Sequence, residues 1–348
     1  MNLRKLVADG FEVPVRVELE YVVLVPVTIR NWDKDYDAVV STRGYTGLNP
    51  GLVWPEQTMG SVLFGLSDVC YMDKLLRGRA SVCYGIMTPD ERTELGCLYV
   101  YRTRKLGYDA EIYCWVRRKE AEEGLRERVY EFAEAWVPDV WPFGRTTWPG
   151  WKIPWPEWYA LPDKAPENWP GNPPSHALLP RRLVPDSFQI PTKVEKKRFV
   201  LVPLHLSMDT VAKHHEAIMS SVDHLNASFP PSGDWPRGKR FEDAVVDVGS
   251  LHFHWYSRGA FAYSLRDPGD ARALGCISIE PTRKVGYQAE VCSWVRESEL
   301  RSGLDEEVNE FTHAWIQSQW PFDRVAWPGR DFDWAAWGAM PEYEPDPV

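Results

Sequence analysis

No apolar run in the 348-residue chain approaches the roughly 18 residues of a membrane-spanning helix, so no span is expected. The opening stretch "MNLRKLVADGFEVPVRVELEYVVLVPV" has no signal-peptide core ahead of its charges, and a cytoplasmic protein is expected. Positive charge is short as well: 40 Lys and Arg against 50 Asp and Glu give a net charge of -10. That balance disfavours broad contact with phosphate backbones and lowers the expectation of an RNA partner. Six cysteines form no C-x-x-C pair and sit in strand-like runs, which reads as buried thiols rather than disulfides. Histidine is absent before residue 175, so imidazole chemistry belongs to the second half or the segment leading into it. Three convergent ligands at metal-site spacing are also missing, and no metal is expected.

Tryptophan is abundant, with 18 residues, and many recur in repeated phrases. Shifting the chain by 179 aligns "ELGCLYVYRTRKLGYDAEIYCWV" with "ALGCISIEPTRKVGYQAEVCSWV", and the match runs without a gap from Leu95 to Trp158. About half of those positions are identical, and a period this long signals duplicated domains. Small gaps extend the match upstream, pairing "YVVLVPVTI" with "FVLVPLHLS" and "YDAVVST" with "HEAIMSS". A proline-dense stretch separates the copies. The expected organisation is a first domain at 1–160, an extended linker at 161–198 and a second domain at 199–348.

In the second copy "RFVLVPL" predicts a strand, while "TVAKHHEAIMSSV" and "FEDAVVDVGSLHFHWYSRG" predict helices. Three strands joined by the turns "GDAR" and "TRKVG" follow, then a helix after Gly303 whose Leu304, Val308, Phe311 and Trp315 share one face. Leu125, Val129, Phe132 and Trp136 repeat that face in the first copy. The fold class is α/β (α+β), each copy a mixed, mostly antiparallel sheet flanked by helices.

This order, with "W-V-R" ending a strand and "G-L" opening a helix, resembles the GNAT (Gcn5-related N-acetyltransferase) superfamily. The resemblance covers both copies and implies a tandem GNAT-like protein that moves an acyl group from acetyl-CoA or another acyl-CoA to the amine of a small molecule. It implies a donor pyrophosphate held by backbone N–H groups of the loop after the fourth strand, at a helix start. The donor-binding positions are Val116, Arg117 and Gly124 in the first copy and Arg296, Gly303 and Leu304 in the second, where a strand N–H near Trp294 or Val295 is expected to polarise the donor carbonyl. Of the loop motif Arg/Gln-x-x-Gly-x-Gly/Ala only the first glycine survives; Arg126 and Asp305 stand where a small residue belongs.

Acyl transfer to an amine needs a base to keep the nucleophile neutral. Glu111 and Glu290 occupy the fourth strand of the two copies, and alternation aligns Glu290 with Cys292 and Trp294, and Glu111 with Tyr113 and Trp115. Each is a candidate base or a strand-end ion pair. His254 is a candidate base or substrate contact, or a hydrogen-bonded helix histidine. On a helix His252 and His254 point about 200 degrees apart. "HHEAIMSS", with His214 and Ser220, reads as acceptor-side, and Tyr84 and Tyr263 as buried tyrosines satisfied by backbone. The tryptophan-proline phrases are expected to seal a core edge or join the copies.

The eroded loops keep two alternatives open. One is aminoacyl transfer from an aminoacyl-tRNA, with a basic strip drawn from "RTRK" at Arg102, "PRRL" at Arg181 and "VEKKR" at Lys196. The other is a catalytically inactive binding or scaffold protein. A monomer or homodimer is expected in either case.

Overall fold

The computed structural model describes residues 5–42, 61–164 and 182–342. The described residues divide into two compact units, the first formed by 5–42 and 61–164 and the second by 182–342. Among the described residues no helix is long and apolar enough to cross a membrane.

In the first unit β1 (Val17–Glu18) and β2 (Val23–Pro26) precede helices α1 (Trp32–Ser41) and α2 (Val62–Arg77). A meander of β3 (Ser81–Met87), β4 (Glu94–Arg102) and β5 (Ala110–Val116) follows. The short α3 (Arg118–Glu122) leads to α4 (Leu125–Val140), β6 (Thr146–Thr147) and α5 (Trp155–Ala160). The sheet runs β1-β2-β3-β4-β5-β6, antiparallel except for the parallel pair β5–β6.

The second unit repeats this plan. It has β7 (Val194–Glu195), β8 (Val200–Pro203), then α6 (Met208–Met219), α7 (Val222–Ser228) and α8 (Phe241–Tyr256). The meander is β9 (Phe261–Arg266), β10 (Ala273–Pro281) and β11 (Ala289–Val295), and α9 (Leu304–Gln319), β12 (Val325–Ala326) and α10 (Trp334–Ala339) complete it. Its sheet order is β12-β11-β10-β9-β8-β7.

Alternation divides each strand between two cores. Ile112, Cys114 and Val116 of β5 pack with Leu125, Val129 and Val137 of α4, whereas Tyr113 and Trp115 meet Ala38 of α1 and Val69 and Met72 of α2. The parallel pairing of β5 with β6 ends at Glu111↔Thr147, and that of β11 with β12 at Glu290↔Ala326. The rest of β5 and β11 therefore runs past a short partner. On their other edge the strands stay paired to Val116 and Val295, because Gly96 and Gly275 carry no side chain. A Cβ at either would come within 2.1 or 2.0 Å of the carbonyl oxygen of Trp115 or Trp294.

Residues 182–198, expected from their proline content to be linker, are packed instead. Leu183 and Val184 are buried in the second core, the Leu183 N–H donates to the Arg258 carbonyl at 2.6 Å, and β7 pairs with β8. The Tyr263 hydroxyl donates to the Pro191 carbonyl at 2.8 Å. The first unit has the same arm: Leu6 donates to Arg79, and Tyr84 to Pro14 at 2.8 Å. The phrases "KLVADGFEVPVRVE" and "RLVPDSFQIPTKVE" reveal this upstream extension of the repeat. Proline suits an arm that satisfies its backbone through a few side-chain bonds and one two-residue bridge. Arg79 and Arg258 adopt left-handed backbone conformations (φ 54° and 58°) at the ends of the preceding helices. Their guanidinium groups donate to arm carbonyls, Phe11 in one unit and Pro185 and Phe188 in the other, and such bonds offset a strain of about 1–3 kcal/mol.

The tryptophan-proline phrases seal each unit's own core. Trp141 and Trp148 are buried in the first and Trp320 and Trp327 in the second. Lys105 and Lys284, from the two "TRK" turns, are buried and donate to carbonyls closing α5 (Tyr159, Leu161) and α10 (Gly338, Met340). The terminal helices are thus tied back to the meander.

Candidate functional site

Register places Glu280 opposite Glu290, Ser278 opposite Cys292 and Cys276 opposite Trp294 on adjacent strands β10 and β11. These pairs lie on one face of the second sheet. Ser278, Glu290 and Cys292 are partly exposed, while Glu280 is buried. The Glu290 carboxyl is pushed up to about 7, first by burial and then by the like charge of Glu280. A hydrogen bond with Thr282 and the charge of Arg283 oppose that rise. The group can therefore exchange a proton near neutral pH.

The first unit fills the same positions with rings. Tyr99 pairs with Tyr113, and Tyr101 with Glu111. Tyr99 stacks on Tyr113 at 4.6 Å, Tyr101 meets Tyr99 edge-on at 5.2 Å, and Trp155 closes on Tyr113 at 6.2 Å. The Trp115 indole N–H donates to the Tyr99 hydroxyl at 2.9 Å. Glu111 is 2% exposed, and its carboxyl is also pushed to about 7, by burial, against Thr103, Arg104 and Lys105. The two candidate bases share a register and a proton affinity. Only Glu290 has a partly open, polar surround.

The gap where the sheet runs past its short sixth strand differs in the same sense. In the first unit the Tyr130 hydroxyl accepts from the Cys114 N–H at 3.0 Å, and its ring stacks on Trp151 at 4.7 Å. The duplicated positions hold Asn309 and Arg330. Among the described residues the Asn309 Oδ1 is buried without a hydrogen-bond partner, and Arg330 is bidentate to Asp305 at 2.8 and 2.7 Å.

The expected donor loops are arranged for structure. Arg296 reaches Glu216 of α6 at 2.8 and 2.5 Å, Ser220 at 2.8 Å and the Ala273 carbonyl at 3.3 Å. Arg117 likewise holds Asp37 of α1 and the Glu94 carbonyl, each at 2.7 Å. Both arginines clamp the first helix of their unit to the meander, and their own N–H groups donate to the Leu95 and Leu274 carbonyls. Val116, Val295 and Leu304 are core residues, and Trp294 is buried against the His214 ring at 5.9 Å. Gly124 and Gly303 take left-handed φ of 76° and 73° where α4 and α9 begin, a turn that glycine makes without strain. Loop amides that would meet a phosphate are used internally: Ala121 donates to Arg117, Gly124 to Ala121, Glu299 to Arg296, Gly303 to Leu300, and Glu297 to the Ser221 hydroxyl. The first turn of α9 carries Asp305, Glu306 and Glu307. A pyrophosphate does not fit that turn, because three carboxylates already occupy the favourable end of the helix.

His254 is buried in α8 and pushed down to about 3 by burial, so it is neutral at physiological pH. Glu280, Thr282 and Arg283 act on the Glu290 carboxyl. His252 packs in tilted contacts at 4.6 Å on His205 and at 4.7 Å on Tyr256. His214, in "HHEAIMSS", is the histidine that reaches the candidate face through Trp294, and burial pushes it down to about 4. The described residues of the expected basic strip are engaged within their own units. Arg102 donates to the Lys5 carbonyl, Lys105 is buried, Lys196 lies over Phe311 and Arg198 holds Glu307, while Arg181 falls outside the described residues.

No protein-family model and no curated protein matches this chain. Solved structures do match. A tandem GNAT protein from the clavulanic acid biosynthesis pathway is similar over 94% of this chain and 100% of its own, at 12% identity and a TM-score of 0.27. The ribosomal-protein-S5-alanine acetyltransferase of Vibrio fischeri is similar over 36% of this chain and 67% of its own, at 11% identity and a TM-score of 0.28. The sheet order decides the fold: in each unit a strand, two or more helices, a three-strand antiparallel meander, a helix and a short parallel strand follow one another as the resemblance implies. In fold, the chain is a tandem GNAT-like protein. Of its two GNAT-like units, the second carries the accessible ionisable groups.

Proposed function

We propose that the second GNAT-like unit transfers an acyl group from an activated donor to an amine, with Glu290 as general base. The observation that carries this reading is a partly exposed residue, Glu290, whose carboxyl is pushed up to about 7 beside the point where β11 and β12 part. An alkyl amine is protonated at neutral pH, and a carboxylate poised near that pH is suited to take the proton as the nitrogen attacks. The C–N bond forms, the bond from the acyl carbon to the leaving thiolate or alkoxide breaks, and the leaving group picks up a proton. The donor is acyl-CoA by resemblance, with its phosphates held elsewhere than at α9. The acidic first turn of α9 favours a second reading, an aminoacyl ester such as aminoacyl-tRNA, which would use no pyrophosphate cradle. The first unit, with its face filled by tyrosine, serves as scaffold.

Acetyl-CoA and a panel of small amines, followed by mass spectrometry across pH, test the first reading. Acylated amine whose formation rises through about pH 7 and disappears in Glu290→Gln is the expected result. Absence of both product and calorimetric binding of acetyl-CoA excludes it. Product formed only from aminoacyl-tRNA selects the second.

A further inference from the structure

We infer that the first unit holds a transition-metal site made by Asp35 of α1 with Glu94 and Cys97 of β4. One donor atom from each residue lies within 4.8 Å of the others. The Cys97 sulfur is 3.2 Å from Glu94 Oε1 and 3.5 Å from Asp35 Oδ1. Two ligands of one tetrahedral ion, with a metal–sulfur bond of about 2.3 Å and a metal–oxygen bond of about 2.0 Å, stand about 3.5 Å apart. The Cys97 sulfur is therefore already at coordination spacing from an oxygen of each carboxyl group.

A bulge builds this arrangement. Met87 pairs with Glu94 and Ile86 with Gly96, leaving Leu95 as the extra residue of β4. Residues three apart on a regular strand face opposite ways, and the extra residue turns Glu94 and Cys97 to the same side. Cys83 of β3 hydrogen-bonds the Cys97 thiol and holds it in place beside the two carboxyls.

Two further observations point to a ligand. Glu94 is 0% exposed and its Oε2 has no hydrogen-bond partner among the described residues, an expensive state for a carboxyl group. Arg117 acts on the Glu94 carboxyl through its charge only, since its guanidinium hydrogen-bonds the Glu94 backbone carbonyl and Asp37. The fold does not need the cluster either: the duplicated positions hold His214, Ala273, Cys276 and Ala262, and the second unit forms the same sheet. Two carboxylates with one thiolate suit a borderline ion such as Zn²⁺ or Co²⁺ rather than Mg²⁺. Because all three ligands are buried, the ion would enter as the chain folds.

The full chain unfolded with denaturant and chelator, then refolded with or without Co²⁺, tests the site. One equivalent of cobalt retained through gel filtration, a thiolate-to-cobalt charge-transfer absorption and a higher melting temperature are expected. Cys97→Ala should remove the absorption, and Glu94→Gln, nearly isosteric, should weaken retention at least tenfold with circular dichroism unchanged. Cys276→Ala, at the duplicated position, should leave the signal intact. Cobalt lost on gel filtration, or an absorption that survives Cys97→Ala, overturns the inference. Acyl transfer plays no part in these readouts, so the site stands or falls apart from the proposed function.

Discussion

Glu111 and Glu290 occupy the same register of duplicated sheets, and burial brings both carboxyls to about 7. One lies opposite Tyr101 beneath a stack of tyrosine rings; the other faces Glu280 beside Ser278 and Cys292. A shifted pKa thus does not by itself mark a functional group, since the fold shifts both. Access separates them. The sharpest way to break the comparison is to neutralise each glutamate in turn. Glu290→Gln should lower acyl transfer by about 10²–10⁴, the usual contribution of a positioned base, and Glu111→Gln should leave it unchanged. Equal losses in the two variants would remove the functional distinction between the units.

Filling distinguishes the units energetically as well. Tyr99 is fully buried, stacked on Tyr113 and bonded to the Trp115 indole, so Tyr99→Ala should destabilise the first unit by about 3–5 kcal/mol. Its counterpart Ser278 is partly exposed, and Ser278→Ala should stay within about 0.5 kcal/mol. Chemical denaturation of each variant supplies both numbers, and similar losses would show that the second face is as closely packed as the first.

Histidine makes the second unit alone sensitive to acid in this range. His214 falls from an ordinary 6.5 to about 4 and His254 to about 3, each through burial. The folded state therefore binds fewer protons than the unfolded chain over this range, and the stability they allow is complete above pH 6.5 and lost as pH falls towards 4. For His214 the loss amounts to about 3 kcal/mol by pH 4. The first unit has no histidine among its described residues. Hydrogen exchange at pH 7 and pH 5 should show protection falling in β8–β11 more than in β2–β5, and His214→Leu should flatten the difference. Equal loss of protection would mean that the histidines are solvated.

Much of this contrast was legible in the sequence, and the part that was not has physical causes. The duplication, the meander and the buried faces of α4 and α9 follow from periodicity, which reports burial directly. The arm at 182–198 read as linker because proline density excludes helix and central strand, yet it leaves room for a two-residue bridge and a tyrosine hydroxyl as anchors. Arg117 and Arg296 looked like phosphate ligands from their place in the chain; their partners Asp37 and Glu216 lie 80 residues away in sequence and only the fold joins them. The Asp35, Glu94 and Cys97 cluster depends on a bulge that no alternation pattern predicts.

Where the sheet runs past its short sixth strand, Tyr130 on Trp151 stands against Asn309 beside the Arg330–Asp305 pair. Aromatic stacking adds about 0.5–1.5 kcal/mol beyond the area it buries, so Trp151→Ala should cost more than about 1 kcal/mol. Arg330 and Asp305 both remain partly exposed, and an ion pair of that kind contributes less than about 1 kcal/mol. Arg330→Ala should therefore be the mildest change proposed, with a melting temperature near that of the parent protein. Its value is that it loosens a polar closure without opening a hole in the core. If Arg330→Ala instead destabilises as strongly as Trp151→Ala, the gap in the second unit is a structural seam like that in the first, and the difference between the units rests on the Glu280–Glu290 face alone.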